Sequence, residues 1–149
     1  MTRPPRSSVP MVMGVLMIVF ASIGLVVTAV NLYAATRDPL VARFPTIAKL
    51  TVMLGILEAI VGFMQLGAGI ACVRYRRNAP ERAIGYGIAR IALTLGTIVA
   101  MMMLLRPAVD SGQRAFTPLY VTGAALVITW AIIIIALLSR PSAKASCTI

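Results

Sequence analysis

The sequence contains no histidine, only four acidic residues and only two cysteines. Histidine is the commonest metal ligand and general base in proteins, so its absence disfavours metal, haem and acid–base catalytic sites. Cys72 and Cys147 match neither a zinc-ligand spacing nor a Cys-x-x-Cys redox motif, and we interpret them as free thiols. No nucleophile has a base beside it in a recognisable pattern. We therefore expect a protein that is not an enzyme and holds no cofactor or metal.

Charge is scarce as well, and hydrophobic residues are abundant. Charged residues make up 12% of the chain and hydrophobic residues 60%, against about 25% and roughly 45–50% in soluble domains. Too few polar side chains remain to cover a surface in water, so the composition predicts a chain dissolved in lipid. The net charge of +10 would suggest nucleic acid in a soluble protein. Here the basic residues lie between hydrophobic runs, so we interpret them as topology signals and headgroup contacts and expect no nucleic-acid partner.

Four hydrophobic runs are long enough to cross a bilayer, which requires about 20 residues per helix. They cover approximately residues 11–33, 46–73, 83–105 and 117–138. We therefore predict an all-α integral membrane protein in which residues 1–149 form one transmembrane domain of four helices. Residues 1–8 and 140–149 are expected to be short flexible tails.

The distribution of lysine and arginine predicts the orientation of these helices. Eight basic residues lie on the side of both termini and five on the other side. Because loops rich in lysine and arginine stay in the cytoplasm, both termini are predicted to be cytoplasmic, in a plasma (inner) membrane. The first set is Arg3, Arg6, Arg74, Arg76, Arg77, Arg82, Arg140 and Lys144; the second is Arg37, Arg43, Lys49, Arg106 and Arg114.

Small and polar residues recur along the four runs at alternating steps of three and four residues. Helices in lipid associate through such residues, since burying leucine gains little over contact with acyl chains. In the second run the pattern predicts a packing face that contains Gly55, Gly62 and Gly69. A repeat of 3.5 residues with short connections predicts a left-handed bundle in up-down-up-down order.

The other runs carry similar patterns. The first offers Gly14, Met17, Ala21, Gly24, Thr28 and Asn31, and the fourth offers Thr122, Ala125, Thr129, Ile132, Ala136 and Ser139. The third offers two alternatives, a small face (Gly85, Ala89, Ala92, Gly96) and a polar face (Gly87, Arg90, Thr94, Thr97).

Glu58 is the only acidic residue within a predicted span, and it lies near the middle of that span. A central carboxylate raises the free energy of insertion by roughly 2.5–3.5 kcal/mol, so we expect it to be protonated or paired. Arg90 is the expected partner. Gln65, which lies closer to the depth of Arg90 than Glu58 does, is a candidate to bridge the two. One interpretation makes this intramembrane polar cluster a site for a proton, an ion, a headgroup or a small solute. The other makes it a set of polar contacts that fixes helix pairing.

The loop between the second and third runs contains Arg74, Arg76 and Arg77, and Arg82 follows it. These residues are candidates for binding anionic lipid headgroups; a solvated loop is the alternative. Together the patterns predict a small non-enzymatic membrane protein that acts through helix contacts. It would be an accessory subunit of a membrane complex or would associate with copies of itself. The alternative function is a small oligomeric channel or transporter that uses the Glu58 face.

Overall fold

A computed structural model describes residues 8–37, 45–105 and 116–147. The described residues form five helices: α1 (Val9–Arg37), α2 (Pro45–Val73), α3 (Ala79–Leu105), α4 (Phe116–Leu138) and the short α5 (Pro141–Ser146). No strand occurs in these ranges. The predicted all-helical fold is confirmed to this extent.

Proline marks the beginning of every helix. Pro10, Pro45, Pro80, Pro118 and Pro141 each lie within the first three residues of their helix, and none lies in a helix interior. Proline is favoured in the first turn because its missing N–H group has no partner there, and it disrupts a helix further along. The five starting points are therefore encoded locally.

The connection from α2 to α3 is a tight turn closed by backbone hydrogen bonds. The Arg76 amide donates to the Ala71 carbonyl at 3.0 Å, and the Tyr75 amide donates to the Cys72 carbonyl at 3.1 Å. Tyr75 adopts a left-handed conformation with φ of 50°. These features define a Schellman cap, in which a left-handed residue ends the helix and satisfies its last carbonyls. The turn holds α2 and α3 as an antiparallel hairpin.

Among the described residues, three helices are long and apolar enough to span a membrane. The qualifying segments are Val9–Arg37, Ala48–Val73 and Ala79–Ala100, while the apolar stretch Thr122–Leu138 is shorter. The predicted membrane character is confirmed by these three helices.

Helices that are consecutive in the sequence pack against each other, and α1 and α2 make the most extensive contact. Ile18, Leu25 and Leu32, spaced seven residues apart, face Gly69, Gly62 and Gly55 in reverse order. A repeat of seven residues keeps the two helices in register along their length.

Burial in the four long helices is concentrated in one half of the molecule. Most of the buried side chains lie around Met13–Ala21 in α1, Val61–Cys72 in α2, Ala79–Gly87 in α3 and Ala131–Leu138 in α4, and Thr94 is buried at the border of this region. We call this region, near the α2–α3 turn, the packed half. The other ends of the four long helices form what we call the open half, which comprises residues 22–37, 48–60, 95–103 and 122–130. None of the described side chains in these ranges is buried.

The segment after α4 differs from the prediction of a flexible tail over residues 140–149. Pro141–Ser146 form a helix in which Ala143 and Ser146 are buried, and the following Cys147 is fully buried. A helix of this length is not stable alone. It forms because Ala143 and Cys147 join the hydrophobic cluster of the packed half. Residues 148–149 and 1–7 lie outside the described residues.

Candidate functional site

The central feature of the site is an ion pair between α2 and α3. Nη1 of Arg90 donates a hydrogen bond to Oε2 of Glu58. This is the one ion pair among the described residues. Glu58 lies about 15 Å along its helix from Ala48 and about 22 Å from Val73 at 1.5 Å per residue. The pair is therefore well inside the span.

The pair lies at the border between the packed and open halves. Its side chains remain 21% exposed for Arg90 and 32% exposed for Glu58. On the packed side, Tyr86 lies one turn before Arg90, is almost fully buried, and is close enough to both charges to interact with them electrostatically. Sequence reasoning missed Tyr86. Tyr86 lies four residues before Arg90, and this spacing places the two side chains on one helix face. That spacing is the sequence feature that could have identified Tyr86.

Two threonines extend the polar face of α3 beyond Arg90: Thr94 is buried at the border, and Thr97 is partly buried in the open half. The Thr94 hydroxyl donates to the Arg90 carbonyl at 2.9 Å, and the Thr97 hydroxyl donates to the Leu93 carbonyl at 2.8 Å. Threonine hydroxyls commonly satisfy themselves in this way inside helices. The α3 face that turns inward is thus the polar one predicted as an alternative. On the small face Gly85, Ala92 and Gly96 are exposed, and only Ala89 is partly buried against the core.

The remaining member of the predicted cluster, Gln65, is buried two turns from Glu58 towards the packed end. Within the described hydrogen bonds it contacts neither Glu58 nor Arg90. The structure therefore brings Glu58 and Arg90 together and leaves Gln65 out of the hydrogen-bonded pair.

The predicted glycine face of α2 lies against α1, with side chains of α1 occupying the space that a Cβ atom would need. A Cβ atom on Gly69 would lie 2.9 Å from the carbonyl oxygen of Gly14, and one on Gly62 would lie 2.9 Å from Cδ2 of Leu25. Leu32 fills the corresponding space at Gly55. The α1 side of this contact differs from the expected stripe, because Gly24 faces open space and Asn31 is exposed.

The inward face of α4 also differs from the expected one. The predicted inward residues are exposed: Ala125, Thr129, Ile132 and Ala136. The residues that are buried instead are Ala131, Ile134 and Leu138. Trp130 packs edge-on against Phe20 of α1, with ring centroids 5.0 Å apart. Its Nε1 is buried without a hydrogen-bond partner among the described residues. Trp130 is thus a helix contact between α1 and α4.

At the packed end, Arg74, Arg76, Arg77 and Arg82 are all exposed. Cys72 and Cys147 are reduced and buried in the same hydrophobic cluster. Burial raises the pKa of the Cys147 thiol, so this thiol is less reactive than an exposed one. The sequence predicted that the arginines and both cysteines lie on one side of the membrane, but it did not predict the burial of the two thiols in one cluster.

The arrangement is suited to holding helices together. A paired carboxylate and guanidinium avoid the free-energy penalty of isolated charges in lipid. Among the described residues, no three of the cysteine and acidic side chains lie together as metal ligands would. Comparisons of the chain with protein-family models, with curated proteins and with solved structures found no match.

Proposed function

We propose that the chain is a small, non-enzymatic integral membrane protein that acts through helix–helix contacts. In this proposal α1 to α4 cross the bilayer four times as a left-handed up-down-up-down bundle, with both termini in the cytoplasm. Its partners are the lipid bilayer and other membrane-embedded helices. Those helices belong either to a complex in which this chain is an accessory subunit or to further copies of the chain.

The observation that carries the proposal is the contrast between the two halves. In the open half, α1 and α2 stay in contact as far as Leu32 and Gly55, yet no described side chain there is buried. The Glu58–Arg90 pair at the border is partly exposed. Lipid tails solvate charge poorly, whereas a polar or small-residue helix can cover it by close packing. An additional helix in the open half would therefore stabilise the partly exposed ion pair better than acyl chains would.

Purification in mild detergent with mass measurement tests this proposal. We expect the chain to elute in a particle that contains more than one polypeptide, and mass spectrometry of that particle then distinguishes copies of the chain from other subunits. The exposed-face variant Ile88→Ser, at a residue 60% exposed in the packed half, serves as the control and should leave the assembly intact. Recovery of a single polypeptide from several mild detergents would contradict the proposal.

A small oligomeric channel or transporter is the second candidate function. It is favoured by the partial exposure of the Glu58 and Arg90 side chains. The test is ion and proton flux in proteoliposomes, comparing the natural chain with Glu58→Gln. A flux that the substitution lowers would support transport, whereas the absence of flux from the oligomeric protein would exclude it.

A further inference from the structure

The packed end of the molecule carries basic residues from two segments that are far apart in the sequence. Arg74, Arg76 and Arg77 lie in the α2–α3 turn and Arg82 in the first turn of α3, and all four side chains are exposed. Arg140 immediately precedes α5 and Lys144 lies within it, and both of these are exposed as well. We call these six residues together the basic surface.

The hydrophobic cluster of the packed half brings the two segments to the same end. Ala143 and Cys147, from α5 and its C-terminus, belong to the same buried cluster as Cys72 at the end of α2 and as Ala79 and Ala83 at the beginning of α3. Since α5 turns Ala143 inward, its neighbour Lys144 is left on the outside. The short helix therefore adds its charges to those of the turn.

Within the part of the chain that the structure describes, no acidic side chain neutralises the charge of the basic surface. Glu81 is the only acidic residue in the described parts of these segments, and it is exposed. Within the described residues no carboxylate forms an ion pair with any member of the basic surface. The surface also adjoins the ends of the apolar segments at Val73 and Leu138. Headgroups lie at that level of a bilayer.

We propose that the basic surface binds the headgroups of anionic phospholipids, and that docking of α5 supplies part of the site. A basic residue near an anionic leaflet contributes about 1 kcal/mol to binding. Arginine adds directional pairing with phosphate oxygens through its planar guanidinium. This inference is independent of the helix contacts proposed for the open half, which lies at the other end of the molecule.

Lipid binding to the purified full-length chain tests the proposal. Native mass spectrometry in a neutral detergent would compare retention of phosphatidylglycerol with retention of phosphatidylcholine. We expect phosphatidylglycerol to be preferred, and the preference to weaken as salt is raised, because exposed charges are screened. Equal retention of the two lipids would overturn the proposal.

Two matched variants locate the site. Arg140→Gln combined with Lys144→Gln should lower the affinity for phosphatidylglycerol by roughly tenfold or more, given the contribution of each basic residue. Arg37→Gln combined with Lys49→Gln removes the same charge from exposed residues at the other end and should change the affinity less than about twofold. Equal losses of affinity in both variants would show that phosphatidylglycerol is attracted by net charge alone and would overturn the proposed location of the site.

A third variant separates the position of α5 from its charge. Ala143→Gln keeps every member of the basic surface but places a polar side chain in the buried cluster, which should displace α5. Its affinity for phosphatidylglycerol should fall to that of the Arg140→Gln, Lys144→Gln variant. Circular dichroism should show that the long helices are retained. Full affinity in this variant would show that docking of α5 is not required and would overturn that part of the proposal.

Discussion

Single residues determine where the helices approach most closely and where charge is tolerated. Gly69 and Gly14 bring the backbones of α1 and α2 into contact, because a Cβ atom at either position would collide with the other residue's carbonyl oxygen. Glu58 and Arg90 neutralise each other between α2 and α3. Both contacts involve residue types that lipid-exposed helix faces rarely carry.

Substitution of Gly69 by alanine should destabilise the protein. The added Cβ atom would lie 2.9 Å from the Gly14 carbonyl oxygen and 3.1 Å from Cβ of Met17, and neither backbone can retreat without moving a helix. We expect the free energy of unfolding to fall by about 1–3 kcal/mol. Denaturation in mixed micelles, followed by Trp130 fluorescence, provides the measurement.

Gly67→Ala is the matched control on the same helix, since a Cβ atom there meets nothing within 4 Å. It should be neutral or slightly stabilising, because alanine favours the helix. Equal effects of the two substitutions would show that the α1–α2 contact is not as close as described.

Removal of one member of the ion pair should destabilise the protein more than removal of both members. Glu58→Leu leaves Arg90 without its carboxylate, and we expect helix association to weaken by about 1 kcal/mol or more. Glu58→Gln keeps a hydrogen-bond acceptor and should preserve assembly. The double variant Glu58→Leu, Arg90→Leu should recover most of the loss, because no unpaired charge remains. The same denaturation assay measures all three, and a loss in the double variant that equals or exceeds the loss in Glu58→Leu would argue against the pairing.

At the scale of whole helices, the sequence predicts some features better than others. The step pattern of α2 identified the glycines that face α1, because lipid-exposed positions on that helix are large and the glycines stand out. In α4 the inward face could not be identified, since Ile132–Ile135 present similar side chains in every direction and hydrophobicity does not distinguish them. The predicted stripe therefore fell on exposed residues, while Ala131, Ile134 and Leu138 are buried.

The short helix α5 escaped prediction for a different reason. Six residues do not form a stable helix by themselves, so its existence depends on contacts with residues distant in the sequence, including the cluster that contains Cys72. The Glu58–Arg90 pair, in contrast, could be inferred because a span with one acidic residue and a neighbouring span with one deep arginine offer few alternatives. The absence of a bond from Gln65 to that pair depends on side-chain orientation, which no sequence pattern specifies.

Oxidation of the two cysteines provides a direct test of the docking of α5. Cys72 and Cys147 are buried in one cluster, so diamide should join them, with two thiols losing two electrons and two protons to the oxidant. We expect an intramolecular disulfide, seen as a mass decrease of about 2 Da and as protection from alkylation after mild unfolding. Because burial raises the pKa of the Cys147 thiol, the reaction should accelerate as the pH increases. Ala143→Gln should suppress it, and equal yields with and without this substitution would contradict docking.

At the scale of the whole molecule, the two ends differ in burial and in charge. The packed half gathers the buried residues, the α2–α3 turn and the basic surface, so it is the end that we assign to anionic headgroups. The open half exposes a polar border and contains no described side chain that is buried. The proposed helix contacts belong to this second end, and they are the central claim of the account.

Photocrosslinking in native membranes tests that claim most directly. A photoreactive amino acid would replace Thr97, which lies on the partly buried polar face of α3 in the open half, or Ile88, which is 60% exposed in the packed half. We predict strong protein adducts from position 97, whose masses identify a second copy or another subunit, and mainly lipid adducts from position 88. Lipid adducts alone from position 97, at the level seen from position 88, would contradict the claim that other helices fill the open half.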